Sequence, residues 1–106
     1  MDLPKVIADL IAAQDKYDSS AFSETFSPDA IVHDEGKTYQ GRAEIKKWNE
    51  MTNAKYKTKY EPLEIENEGD KIKLTARVSG TFDGSPAIIE YYFETKDRKI
   101  RSLKIS

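Results

Sequence analysis

The sequence predicts an α+β domain, on three observations. In the first part of the chain, Leu3, Val6, Ile7, Leu10, Ile11 and Tyr17 recur at helical spacing, with Lys5, Asp9 and Lys16 on the other side. From Lys55 onward the apolar period changes to two, the spacing of strands. Turn clusters at residues 67–70, 83–86 and 96–98 then cut this second part into four runs. No connection between those runs is long enough for a parallel crossover, so they form an antiparallel meander. A chain of 106 residues holds one domain, residues 1–106, around one core.

In chain order, Asp2 can cap the first helix, and Pro4 is tolerated in the first turn because its missing N–H has no intrahelical partner there. Asp18-Ser19-Ser20 breaks the pattern and offers a second cap. A short helix over about residues 20–26 would bury Phe22 and Phe26, and Ser27-Pro28-Asp29 would end it as a turn. Residues 30–34 form a short β-rich run, stopped by Glu35-Gly36. After a loop, Gln40-Gly41 opens a third helix over about residues 42–53. Its inward stripe is Ala43 or Glu44, Ile45, Trp48, and Met51 or Thr52. The strand candidates that follow are residues 56–66, 71–82, 87–95 and 99–105.

A four-residue loop at 67–70 sets Glu66 opposite Lys71, Ile65 opposite Ile72, Glu64 opposite Lys73 and Leu63 opposite Leu74. Opposite charges then share one face and aliphatics the other, which sends Leu63, Ile65, Ile72, Leu74, Ala76 and Val78 to the core. Pro62 calls for a bulge or an edge strand. The second hairpin has two readings. An even loop at 83–86 puts Tyr91 opposite Val78 and Phe93 opposite Ala76, with Glu90 on the other face; a three-residue loop with a bulge turns Ile88, Glu90 and Tyr92 inward. The helices must cover one sheet face. The other face, with Ile88 or Tyr92 exposed, is expected to form a homodimer contact.

A net charge of −2 supplies no overall basic field for nucleic acid. Lys55, Lys57 and Lys59 alternate with Tyr56, Thr58 and Tyr60, but Glu61, Glu64, Glu66 and Glu68 follow and cancel the local charge. With no cysteine and one histidine, no metal site is expected. No phosphate loop or nucleophile signature occurs, so no cofactor is expected. The N-terminal stretch is interrupted by Asp2, Lys5 and Asp9, which excludes a signal peptide, and no run is long and apolar enough for a membrane. A cytoplasmic protein is the expectation.

Two helices, then Phe26-Ser27-Pro28-Asp29-Ala30-Ile31-Val32-His33-Asp34, then Tyr39-Gln40-Gly41-Arg42-Ala43-Glu44-Ile45 and a meander form a recognisable layout. It resembles, over the whole chain, the cone-shaped α+β fold of the nuclear transport factor 2 superfamily. The SnoaL-like branch of polyketide cyclases and ketosteroid isomerases is the nearest likeness. The resemblance implies that Asp34, ending the short strand, stands where ketosteroid isomerases carry a general base. It likewise matches Trp48 to a pocket aromatic and Glu90 to a protonated acid at the enolate oxygen. The tyrosine that completes that oxyanion site on the first helix is Leu10 here, a departure from the steroid pattern.

Each candidate also has a plainer reading. Asp34 is either a base or a strand-ending turn residue. Adjacent strand residues point to opposite faces, so His33 and Asp34 share one pocket only across a bulge. Glu90 is either inward or an outward neighbour of Arg77 or Lys104. Trp48 is either pocket wall or core filling. The resulting expectation is a domain that binds a small apolar or carbonyl-containing ligand between helices and sheet. As an enzyme it would be a cofactor-independent isomerase, cyclase or dehydratase. Asp34 would be the base, His33 or Glu90 an auxiliary acid, and Trp48, Leu10, Phe22, Tyr60 and Leu103 the wall. The alternative is a non-catalytic ligand-binding or dimerisation module.

Overall fold

Three helices, α1 (Lys5–Asp15), α2 (Ser19–Glu24) and α3 (Gly41–Tyr56), pack on one face of a six-stranded sheet in the computed structural model, which describes residues 2–105. The strands are β1 (Phe26–Asp34), β2 (Lys37–Gln40), β3 (Lys59–Glu68), β4 (Lys71–Ser79), β5 (Ala87–Lys96) and β6 (Lys99–Ile105), in the spatial order β2-β1-β6-β5-β4-β3. Neighbours are antiparallel except β1 and β6, which run parallel. The fold is α+β, as expected; the sheet is open and has one strand more than the meander and single short strand that the sequence suggested.

Helix boundaries differ from the sequence reading in instructive ways. Pro4, not Asp2, occupies the N-cap of α1, and its carbonyl accepts from the N–H groups of Ile7 and Ala8, both at 3.0 Å. Tyr17 adopts a left-handed backbone (φ 52°), which ends α1 and leaves its ring 38% exposed instead of on the inward stripe. Asp18 caps α2 as expected, accepting from the Ala21 N–H at 3.0 Å. Ser27-Pro28-Asp29 is not a turn after a longer helix but the bulged part of β1, where the pairing with β6 slips between Phe26 and Ile31. A bulge tolerates proline because the residues inside it make no ladder bond. The loop expected before α3 is strand β2. Glu35 and Gly36, at φ 52° and 76°, make a two-residue turn that pairs Asp34 with Lys37. Exposed β2 carries no apolar alternation, so its sequence is silent about it.

The first hairpin closes two residues later than expected, through Gly69-Asp70, with Glu68 opposite Lys71, Glu66 opposite Lys73 and Ile65 opposite Leu74. An even displacement keeps every side chain on its expected face. Ile72, Leu74, Ala76 and Val78 are accordingly buried. Leu63 is the exception: it falls in the bulge between Pro62 and Glu64 and is 37% exposed, not in the core. Pro62 does lie on an edge strand. The second hairpin pairs Val78 with Ala87, Leu74 with Tyr91 and Ile72 with Phe93. That offset is again even, so Tyr91 and Phe93 point inward and Glu90 outward.

β4 stops at Ser79 because residues 80–82 leave the sheet to grip the end of α3. Thr81 N–H donates to the Tyr56 carbonyl at 2.7 Å, and Phe82 meets the Tyr56 ring edge-on at 6.0 Å. The core between the layers includes Phe22, Phe26, Ile45, Trp48, Tyr91, Phe93 and Leu103. The outer sheet face carries the ion pairs Lys73–Glu90 (2.8 Å), Arg77–Glu61 (2.7 Å) and Arg101–Glu94 (3.2 Å), with Ile88 and Tyr92 exposed among them.

Gly80 is the tightest point of this docking. A Cβ there would lie 2.5 Å from the Tyr56 carbonyl oxygen, which is backbone and cannot move aside cheaply. Gly80→Ala is expected to lower stability by about 1–3 kcal/mol, the usual cost of forced overpacking. The midpoint of urea unfolding measures this, and an unchanged midpoint refutes it.

Candidate functional site

Strand alternation carries Asp34 into the interior. Ala30 and Val32 are fully buried on the helix-facing side of β1, and Asp34, two residues further, points the same way. Because β1 ends there, the carboxylate remains half-buried at the strand's open end. α3 crosses above it and presents Trp48, whose indole Nε1–H donates to Asp34 Oδ2 at 3.3 Å. The indole is held by Tyr39 of β2, stacked at 5.6 Å, and by Phe22 of α2 at 6.1 Å.

The sheet register supplies the opposite wall. His33 pairs with Lys104, so Asp34 falls beside Ile105, and Ile105 in turn pairs with Tyr91. The Tyr91 ring lies 5.4 Å from that of Tyr60, which β3 brings in from the far edge. Tyr60 is partly buried, and burial weighs on its hydroxyl and on that of Tyr91 alike. Two pairs from four elements, Asp34 with Trp48 and Tyr60 with Tyr91, thus lie on the inner face, close enough for the Asp34 charge to act on both phenols.

The electrostatics follow from this burial. Desolvation raises the Asp34 carboxyl above its ordinary value, the Glu35 charge adds to that, and the Trp48 hydrogen bond opposes it. Tyr60 is pushed up to about 12, first by burial and further by the Asp34 charge, with the Tyr91 and Thr58 hydrogen bonds acting against it. Tyr91 is raised further still, again chiefly by burial and then by Tyr60. Both phenols therefore stay protonated and remain donors across the physiological range. Among the described residues, no cationic side chain forms an ion pair with Asp34.

The other expected site residues lie elsewhere or play other parts. His33 points outward, exposed, with Nδ1 3.4 Å from the Thr38 hydroxyl, so alternation separates it from Asp34 without any bulge between them. Glu90 corrects the inward reading: it sits on the outer face and pairs with Lys73 at 2.8 Å. That hydrogen bond and charge hold it below the usual carboxylate range, so it is ionised and cannot donate a proton to a bound oxygen. Leu10, Phe22 and Leu103 are 2%, 1% and 1% exposed, which places them in filled core and not on an open wall. Tyr91, read from the sequence as core alone, belongs to the site; a hydroxyl at an inward strand position was its available signal. Tyr39 could not be foreseen while β2 was taken for a loop. Two surface clefts lie apart from Asp34. One, of about 380 Å³, lies between α1, α2 and the turn at Arg98 and Lys99, and one of about 310 Å³ is lined by Tyr17–Ser20, Lys46, Glu50 and Asn53. No cluster of three or more metal-ligating side chains occurs among the described residues.

Comparison with known proteins follows the same lines. The SnoaL-like domain family matches residues 7–102. No curated protein gives a significant match. A candidate polyketide cyclase from Sinorhizobium meliloti has 42% identity and a TM-score of 0.95, over 100% of this chain and 97% of that one. A protein with a ketosteroid isomerase-like fold from Catenulispora acidiphila, solved in complex with trimethylamine, has 21% identity and a TM-score of 0.88, over 99% of this chain and 86% of that one. An NTF2-like protein of unknown function from Cytophaga hutchinsonii has 15% identity and a TM-score of 0.82, over 100% and 90% of the two chains. The latter two likenesses show the fold alone.

The raised Asp34 carboxyl has a consequence for stability. A folded value above the unfolded one means that the native state binds more protons between the two values. Stability is therefore lost as pH rises from the ordinary carboxylate value of 3.8 through the folded value, and stays lower at neutral pH. Asp34→Asn, which keeps an acceptor for Trp48 and removes the charge, is expected to be more stable than the parent at pH 7. The advantage should vanish below the ordinary carboxylate value. Urea titrations at the two pH values test this, and a less stable variant at pH 7 contradicts it.

Proposed function

The chain belongs to the SnoaL-like domain family, and on that premise we propose that it binds a small, largely apolar carbonyl compound at Asp34. The chemistry we assign is cofactor-independent acid–base catalysis beside the carbonyl. One observation carries this reading: a half-buried carboxylate without a cationic partner is held by the Trp48 N–H, and its charge is felt by two phenols that stay protonated. A desolvated carboxylate is a stronger base than one in water. In this reading Asp34 takes a proton from the carbon next to the carbonyl. As negative charge moves to the carbonyl oxygen, the Tyr60 or Tyr91 hydroxyl donates to it. Asp34 then returns the proton to a different carbon, which gives isomerisation; or the enolate attacks a second carbonyl of the same molecule, whose C=O π bond opens to an alkoxide that takes the proton back from Asp34, which gives cyclisation. The indole N–H of Trp48 occupies Oδ2 and leaves Oδ1 for the substrate. The two phenols thereby take over the oxyanion role that the resemblance attaches to the positions of Leu10 and Glu90. The likeness to a candidate polyketide cyclase supports a carbonyl-bearing substrate.

A second reading, a non-catalytic binding or dimerisation module in the cytoplasm, is favoured by one observation. Leu10, Phe22 and Leu103 leave almost no exposed surface inside the domain. Homodimerisation through the outer sheet face, around Ile88 and Tyr92, is compatible with both readings.

Deuterium exchange beside the carbonyl of a panel of small cyclic and linear ketones, followed by NMR in D₂O, separates the two. The parent protein should accelerate exchange for at least one compound, and Asp34→Asn should lose about 10²–10⁴ of that rate. Tyr60→Phe or Tyr91→Phe should each cost about 10-fold or more, as loss of an oxyanion donor does. An Asp34→Asn protein as active as its parent removes the catalytic assignment. Light scattering at high concentration should give twice the 12.1 kDa chain mass, and the monomer mass would rule out the dimer.

A further inference from the structure

The second half of α3 is held by polar side chains where an apolar ridge was expected. Ile45 and Trp48 are its buried apolar residues, while Met51 turns outward and is 54% exposed. Asn49 and Asn53, one turn apart, face α1 instead. There Gln14, only 1% exposed, accepts from Asn49 Nδ2 at 3.0 Å. Its Nε2 donates to Asn53 Oδ1 at 2.8 Å and to Thr58, whose carbonyl and hydroxyl oxygens lie at 3.0 and 3.1 Å. Ser19 closes the cluster by donating to Asn49 Oδ1 at 2.6 Å, and Asn53 Nδ2 donates to the same atom at 3.0 Å. Among the described residues, no buried side-chain nitrogen or oxygen lacks a partner.

We propose that Gln14 is a positioning residue for the Asp34 site, acting through Trp48 on one side and Tyr60 on the other. The inference rests on the reading of Asp34 and Trp48 as that site. Apolar contacts are non-directional, so a helix with a thin apolar stripe can turn about its axis at little cost in buried area. Hydrogen bonds demand both distance and angle, and a satisfied buried network holds one arrangement. Asn49 follows Trp48 directly, so fixing Asn49 and Asn53 against Gln14 fixes the direction of the indole N–H. That N–H reaches Asp34 at 3.3 Å, near the limit for a hydrogen bond, and a small rotation of α3 breaks it. On its other side Gln14 holds Thr58, two residues before Tyr60, and so sets where β3 begins. One side chain from α1, with no contact to Asp34 itself, ties the two walls together.

The test uses the chain's single tryptophan, whose indole N–H gives one resolved ¹⁵N-correlated NMR signal. In the parent protein this signal should move with pH as Asp34 ionises, and Asp34→Asn should abolish the movement. Gln14→Met keeps the shape and removes every hydrogen bond; Asn53→Leu sits at a partly exposed position and keeps helix propensity, so it folds even where Gln14→Met does not. Each should cut the amplitude of the movement by about twofold or more, because hydrogen bonds weaken steeply with misalignment. Ile7→Val, a buried change outside the network, should lower stability while leaving the amplitude at the parent value. Full amplitude in both folded variants overturns the positioning role. A signal that does not move with pH in the parent overturns the Asp34–Trp48 reading itself, and the inference with it.

Discussion

The parallel seam between β1 and β6 is the constraint on which the rest depends. It joins the helical first part of the chain to the meander, and its central pair, Val32 and Leu103, is essentially fully buried. Parallel pairing forbids a tight connection, so the chain between the two strands must cross over the sheet and return. α3 is the helical part of that crossover. It is therefore drawn across the inner face, where Ile45 and Trp48 close over β1. The same seam sets Asp34 beside Ile105 and so in the row that contains Tyr91. Without it, the carboxylate and the phenols would belong to separate hairpins.

Two kinds of polar burial coexist inside this framework. The Gln14, Ser19, Asn49 and Asn53 cluster is uncharged and saturated, so its burial costs little and its directionality sets a unique packing. Asp34 is charged, partly desolvated, and opposed by one long hydrogen bond from Trp48. That imbalance is a cost to the fold that the uncharged cluster does not carry. The saturated cluster lies between α1 and α3 and the unsaturated carboxylate below Trp48, one residue along the helix. The first can hold the second in place because both hang from the same two turns of α3.

Much of the sheet was legible from alternation. Side-chain facing has period two, so a first-hairpin register wrong by two residues still assigned Ile72 and Leu74 to the interior. In the second hairpin only the even-loop reading, four residues off in register, had Tyr91 and Phe93 inside and Glu90 outside, and the bulged alternative had Glu90 inward. What alternation could not supply was the exact turn. Local charge pairing favoured Glu66 with Lys71, whereas the chain closes through Gly69-Asp70, where a left-handed glycine makes the tighter turn. Exposed β2 was unreadable for a related reason: a strand without a buried face leaves no apolar pattern. The boundary between α2 and β1 was misplaced because Phe26 is buried in either element, and only its pairing with Ile100 decides between them.

The candidate site divides along the same line. By itself the sequence determined that His33 and Asp34 face opposite ways and that Trp48 lies on the inner side of α3, because strand and helix geometry at short range dictate both. Two short motifs around one strand also carried a resemblance to the family that the domain match over residues 7–102 shows. Only the tertiary structure decided that Tyr60 and Tyr91, 31 positions apart in the chain, meet across the sheet, and that Glu90 is taken up by Lys73. Likewise, it alone placed Gln14 against Asn49, Asn53 and Thr58. The physical reason is range. Facing is a property of a few neighbouring residues, whereas convergence depends on how strands and helices from distant parts of the chain are laid side by side.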